Sequence, residues 1–139
     1  QDEIEQLKKI RLLAPYIDKR EREIAEYNST WNTDDSSPVN GRRMTNIGLF
    51  RAYVLAYAKN NPNIHQKLTL LVRQLAPSEY GLPLELYMFT KGTQWVYFED
   101  TMADIFDHLL AAIKFFDLEI FELPASDDLR LLMAEKNIV

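Results

Sequence analysis

Few residues in this chain are of a type and spacing that could do chemistry. Its two histidines, His65 and His108, stand 43 residues apart, and there is no cysteine. Disulfides, a thiolate nucleophile and a cysteine zinc site are therefore excluded. No paired-histidine zinc helix and no calcium loop is present. Asp104 and His108 lie one helical turn apart, a spacing at which a carboxylate can orient an imidazole as base or ligand. An ordinary hydrogen bond on a helix surface has the same spacing and is the commoner reason for it. The glycines Gly41, Gly48, Gly81 and Gly92 are scattered, so no loop cradles a phosphate. The serines fall mostly in loops, and none sits in a nucleophile-elbow pattern. No enzyme, catalytic residue, cofactor or metal is expected.

Binding residues are more plausible. Arg42-Arg43 is a basic pair just ahead of a helix, suited to an anion, an acidic neighbouring subunit or plain solvent. Tyr87 and Phe89 share one side of a candidate strand, with Arg73 nearby, and RNA-recognition domains stack bases on strand aromatics. The accompanying Lys/Arg-Gly-aromatic pattern is missing. The chain carries 16 basic against 21 acidic side chains, net −5. No nucleic-acid partner is expected, and the two aromatics are read as core.

The elements that must position these residues follow from periodicity. Ile4, Leu7, Ile10, Ala14 and Ile17 make an apolar helical stripe over residues 1–28. Lys19–Glu23 and Arg22–Glu26 are i,i+4 pairs on its wet side. Pro15, lacking an N–H, kinks or restarts that helix. Residues 29–41 read as a mobile loop. Thr45 or Asn46 caps a second helix, with Ile47, Phe50, Val54 and Tyr57 inward, and Asn60-Asn61-Pro62 ends it. The period then becomes two. Residues 66–75 and 82–90 read as an antiparallel hairpin, with Leu68, Leu70 and Val72 on one face of the first strand, and Leu84, Leu86 and Met88 opposite Glu85, Tyr87 and Phe89 on the second. Thr93 caps a long helix to about Phe116, burying Phe98, Met102, Ile105, Leu109, Ile113 and Phe116. Leu118–Leu123 is a short third strand, and residues 126–139 form a tail with a short helix.

This order makes the fold α+β, a small antiparallel sheet of about three strands covered by helices. Residues 46–123 match a ferredoxin-like β-α-β-β-α-β unit without its first strand. Three regions result: 1–45, helical segment and loop; 46–125, the ferredoxin-like domain; 126–139, the tail. Charge divides along the chain, with −3 over residues 1–35, +5 over 42–91 and −7 over 92–139. Two readings fit this division: attraction between neighbouring elements of one chain, or pairing of opposite segments between molecules. The apolar run Leu109 to Ile113 is far short of the roughly 20 residues that span a bilayer. The chain opens with Gln1, not Met, and reads as a piece of something longer.

Four segments are specific in combination. They are Gly41-Arg42-Arg43-Met44-Thr45-Asn46-Ile47-Gly48-Leu49-Phe50-Arg51-Ala52-Tyr53; Val72-Arg73-Gln74-Leu75; Gly81-Leu82-Pro83-Leu84-Glu85-Leu86-Tyr87 with Phe89-Thr90; and Asp104-Ile105-Phe106-Asp107-His108-Leu109-Leu110. In this order, over residues 1 to 125, they resemble the carboxy-terminal cytosolic region of the small-conductance mechanosensitive channel family, closest to its miniconductance branch. The resemblance implies a homo-heptamer on the cytoplasmic side of the bacterial inner membrane. Its membrane part lies outside this chain. Seven cytosolic regions enclose a hollow cage with side portals, and the pore releases ions and small solutes on hypo-osmotic shock. The chain itself would be a structural and permeation-filter module. Arg42, Arg43, Thr45, Asn46, Gly48, Arg51, Asp104, Asp107 and His108 are the motif residues expected at subunit interfaces.

The family's closing strand barrel is not matched by residues 126–139, which look helical. The alternative function is a ferredoxin-like regulatory domain binding a small ligand through Arg42, Arg43 and Arg51. Without the first strand, Leu82–Thr90 and Leu118–Leu123 would face a gap. Self-association through that sheet edge is the expected remedy.

Overall fold

The computed structural model describes residues 2–34, 36–123 and 130–131. Among them the order is α1 (Asp2–Lys8), α2 (Ala14–Thr30), α3 (Asn46–Lys59), β1 (Leu71–Gln74), β2 (Leu84–Tyr87), α4 (Trp95–Ala112) and a 3₁₀ turn, Ile113–Phe116. The fold is α+β, four helices with a two-stranded antiparallel sheet.

The first helical segment breaks where proline requires. Pro15 sits in the first turn of α2, where a missing N–H costs nothing. Residues 9–13 form turns between α1 and α2. That break changes the phase of the apolar stripe. Ile17 is fully buried as expected, but so is Leu13, which lies off the expected stripe. Lys19 does pair with Glu23, at 3.7 Å. Arg22 does not pair with Glu26; its Nε donates to the Asp18 carbonyl instead. The helix runs on to Thr30, so the loop begins later than the polar composition suggested.

α3 forms the centre of the molecule. Thr45 caps it, its Oγ1 accepting the Gly48 N–H at 3.2 Å. Phe50 and Val54 are buried as expected, and so are Leu49, Tyr53 and Ala58. One stripe would suffice for a surface helix; burial on several sides means that neighbours cover more than one face. Leu13 and Ile17 join Leu49, Phe50, Tyr53, Val54 and Phe116 in the main cluster, with Val72, Leu84 and Leu86 of the sheet packed against it. A second cluster holds Ala58, Ile64 and Ile105.

The hairpin has the expected sense, with Val72 opposite Leu86 and Arg73 opposite Glu85. An ion pair of 2.8 Å links Arg73 to Glu85 on the outer face. Tyr87 and Phe89 are not core residues. They lie 45% and 42% exposed, because α3 covers one face of the sheet and no described element covers the other. Their rings meet edge to face at 5.5 Å.

Three further expectations fail. The residue capping α4 is Gln94, not Thr93, and its side chain makes no capping bond. Phe98 is exposed, since α4 meets the apolar clusters through Ile105, Leu109 and Ala112 near its other end. Residues 118–123 form no strand. Asp117, in the left-handed region at φ 54°, ends the 3₁₀ turn, and among the described residues the chain beyond pairs with no strand. The tail helix expected in 126–139 lies outside the described residues except for Arg130 and Leu131, which are helical. No helix of the described residues is long and apolar enough to cross a membrane.

Core and surface positions should separate cleanly in stability. Ile17→Ala, at a fully buried site, is expected to cost about 2–5 kcal/mol. Trp95→Ala, at a side chain 77% exposed, should change stability by no more than about 0.5 kcal/mol. Urea unfolding followed by circular dichroism measures both.

Candidate functional site

The expected site residues fall into two groups, one at the start of α3 and one on α4. The first is built by the loop that enters α3. Asn28, near the end of α2, grips the backbone of Arg42 twice. Its Oδ1 accepts the Arg42 N–H at 2.9 Å, and its Nδ2 donates to the Arg42 carbonyl at 3.4 Å. Gly41 makes this approach possible. Its φ is +73°, and a Cβ there would lie 2.5 Å from Asn28 Oδ1. The Arg42 guanidinium then sits 5.2 Å from the Tyr27 ring centroid, a cation–π arrangement. Arg43 donates through Nε to the Pro38 carbonyl at 3.1 Å, closing the loop on itself.

Arg43, Thr45, Gly48 and Arg51 border a cleft of about 150 Å³, with Arg20 and Gln74 on its other side. Arg20 was not singled out by sequence. Its guanidinium binds Glu23 at 2.9 Å, and this hydrogen bond is the main reason the Glu23 carboxyl is held below its ordinary range. Arg51 is exposed, and among the described residues it has neither hydrogen bond nor ion pair. Asn46 turns elsewhere, lining a second cleft with Ile4, Met44 and Phe115. Arg42, Arg43 and Arg51 therefore do not converge as a trio; Arg43 and Arg51 share the small cleft and Arg42 is stacked outside it.

The second group centres on His108. Asp104 and His108 are both on α4, but among the described residues no hydrogen bond joins them. The imidazole instead faces α3. Its Nε2 is 2.5 Å from the Tyr53 hydroxyl. Its ring stacks on Tyr57 with 4.1 Å between centroids and 6° between planes. Tyr53 and Tyr57 are i,i+4 neighbours, which places both rings on the side of α3 that meets α4. Burial, then the nearby Tyr57, raises the Tyr53 hydroxyl above its ordinary value of 10.0. Burial, then the Asp104 carboxylate, raises Tyr57 in the same way. Asp107 is exposed and has no hydrogen-bond or ion-pair partner among the described residues.

Chemically, this second group is a joint between helices. One aromatic stack and one short hydrogen bond hold α4 against α3. Sequence inspection singled out His108 and missed Tyr53 and Tyr57. The available signal was the aromatic pair at i,i+4 on the same helix. Among the described residues no group of three His, Asp or Glu side chains could hold a metal ion. No family model matches this chain, and no solved structure matches it.

The Tyr53 hydroxyl supplies a pH test. With its folded value above 10.0, the folded chain holds this proton more tightly than the unfolded chain. The resulting stabilisation is complete below pH 10 and is lost as pH rises through the folded value. Wild-type stability should therefore fall on the alkaline side, and Tyr53→Phe should flatten that fall while lowering stability at neutral pH. Urea midpoints measured from pH 8 to pH 11 report both effects.

Proposed function

We propose that this chain is the cytosolic module of a mechanosensitive channel of the small-conductance family, serving as scaffold and permeation filter. The observation that supports this is the ordered occurrence of four motif segments, together with their packing around one helix. The first runs through the loop exit into α3, and the last lies on α4; Tyr53 and His108 join them at 2.5 Å. The second and third supply the paired strands, with Val72 opposite Leu86. Motifs that meet in one core are what a rigid cage wall requires. In finer detail we assign α3, β1, β2 and α4 as the four central elements of a ferredoxin-like β-α-β-β-α-β unit.

A second reading, a regulatory domain for a small anion, is favoured by the cleft that Arg20, Arg43 and Arg51 border. A dose-dependent rise in melting temperature with inorganic phosphate would support it, and a flat response would oppose it.

The channel reading is tested with the full-length gene in a bacterial strain lacking such channels. Survival of hypo-osmotic shock and tension-gated currents in patch-clamp recordings are expected. Their absence, or the absence of upstream apolar segments of about 20 residues, would overturn the reading. Arg42→Ala with Arg43→Ala should weaken assembly of the full-length protein more than it lowers the melting temperature of this chain. Size-exclusion chromatography with light scattering, set beside thermal melts, measures the difference.

A further inference from the structure

The turn that leads into the Asn28 clamp holds the only Asn-Gly step of the sequence, Asn40-Gly41. An asparagine carboxamide is an electrophile, and the main-chain nitrogen of the next residue can close a five-membered ring on it. Two conditions govern that reaction: the carboxamide must be untethered, and no side chain must crowd the attacking nitrogen. Among the described residues the other asparagines fail one or the other. Asn28, Asn60, Asn61 and Asn63 have their side chains in hydrogen bonds. Asn32 and Asn46 are followed by Thr33 and Ile47, whose β-branched side chains crowd that nitrogen.

Asn40 meets both conditions. Its N–H donates to the Ser37 carbonyl at 3.0 Å, closing a four-residue turn with Pro38 at its second position. The turn fixes the main chain and leaves the side chain out. Among the described residues neither the Asn40 carboxamide nor the Gly41 N–H has a hydrogen-bond partner. Gly41 has no Cβ to crowd its nitrogen. Val39, beside them, is 87% exposed, so water reaches the turn.

We propose that Asn40-Gly41 is a self-modification site, at which the chain converts its own asparagine to aspartate and isoaspartate. The Gly41 nitrogen gives up its proton and bonds to Asn40 Cγ. The carboxamide nitrogen takes a proton from water and leaves as ammonia, and the product is a succinimide. Water then opens the ring. Attack at Cγ yields aspartate. Attack at the main-chain carbonyl yields isoaspartate, whose backbone runs through the former side chain and is one carbon longer. Both products place a new negative charge ahead of Arg42 and Arg43. Only isoaspartate alters the chain path, and it does so just before the Arg42 backbone that Asn28 holds from both sides. That approach has no slack, since a Cβ on Gly41 would lie 2.5 Å from Asn28 Oδ1. The extra carbon therefore opens the clamp, a one-way release of the loop that enters α3. Neither the channel reading nor the anion reading is needed for this chemistry.

The 139-residue chain is aged at pH 8 beside a synthetic peptide of residues 36–45. Isoaspartate is counted with an isoaspartyl methyltransferase and a labelled methyl donor, and peptide mass spectrometry locates it. Conversion at Asn40 is expected in the folded chain at a rate within about tenfold of the peptide's, because no hydrogen bond must break first. The rate should rise with pH, since the nitrogen attacks without its proton. Hydrogen exchange at the Arg42 amide should quicken about tenfold or more in the isoaspartyl form. It should keep the wild-type rate in Asn40→Asp, which adds the charge without the extra carbon. Asn40→Gln, which must close a larger ring, should stop the reaction without changing the melting temperature. Conversion slower than the peptide's by more than about tenfold overturns the proposal, as does label found mainly at other positions. Equal Arg42 exchange in the isoaspartyl and unmodified chains overturns the release of the clamp.

Discussion

Everything in this fold depends on the burial of α3 from more than one side. A chain of 139 residues has limited interior, and most of it is here. Leu13 and Ile17 cover the helix from the α1–α2 hairpin, and Val72, Leu84 and Leu86 cover it from the sheet. Phe116 closes the cluster, its ring edge-on to Phe50 at 5.2 Å and 5.5 Å from Tyr53. A two-stranded sheet is marginal alone in water. Here it persists because its inner side chains are part of the helix core.

The polar groups are arranged around that packing. Asn28 fixes the loop exit by holding the Arg42 backbone from both sides, so α3 starts where Thr45 can cap it. At the far side, Tyr53 is buried in the core yet bonded to His108 on α4. One residue thus joins the apolar interior to the only direct side-chain hydrogen bond between α3 and α4 among the described residues. The aromatic stack of Tyr57 on His108 adds to the apolar contacts that Ile105, Leu109 and Ala112 of α4 make with the two clusters. The motif residues sort accordingly: most of the first segment builds the entry to α3, and His108 holds α4 to it.

The outer surfaces are less finished. Val96 and Phe115 are 73% and 76% exposed, and Leu71, Tyr87 and Phe89 lie bare on the outer face of the sheet. Of these, Tyr87 and Phe89 touch edge to face at 5.5 Å.

Local signals made much of the fold legible in the sequence itself. Pro15 required a break in the first helix, Thr45 and the Asn60-Asn61-Pro62 turn bounded α3, and period-two alternation marked the hairpin. These depend on the chain within a few residues, where capping, missing N–H groups and side-chain alternation act. What tertiary structure alone decided depends on what lies opposite. Leu118–Leu123 alternates like a strand but has no neighbour to ladder with, so it forms none. Tyr87 and Phe89 have the composition of core, yet the face they occupy is uncovered. Asp104 and His108 have the spacing of a pair, but the imidazole turns to Tyr53 and Tyr57 because α3 offers it both a hydroxyl and a ring to stack on. A side chain's partner across the fold is set by the relative placement of whole elements, and spacing along the chain carries no record of it.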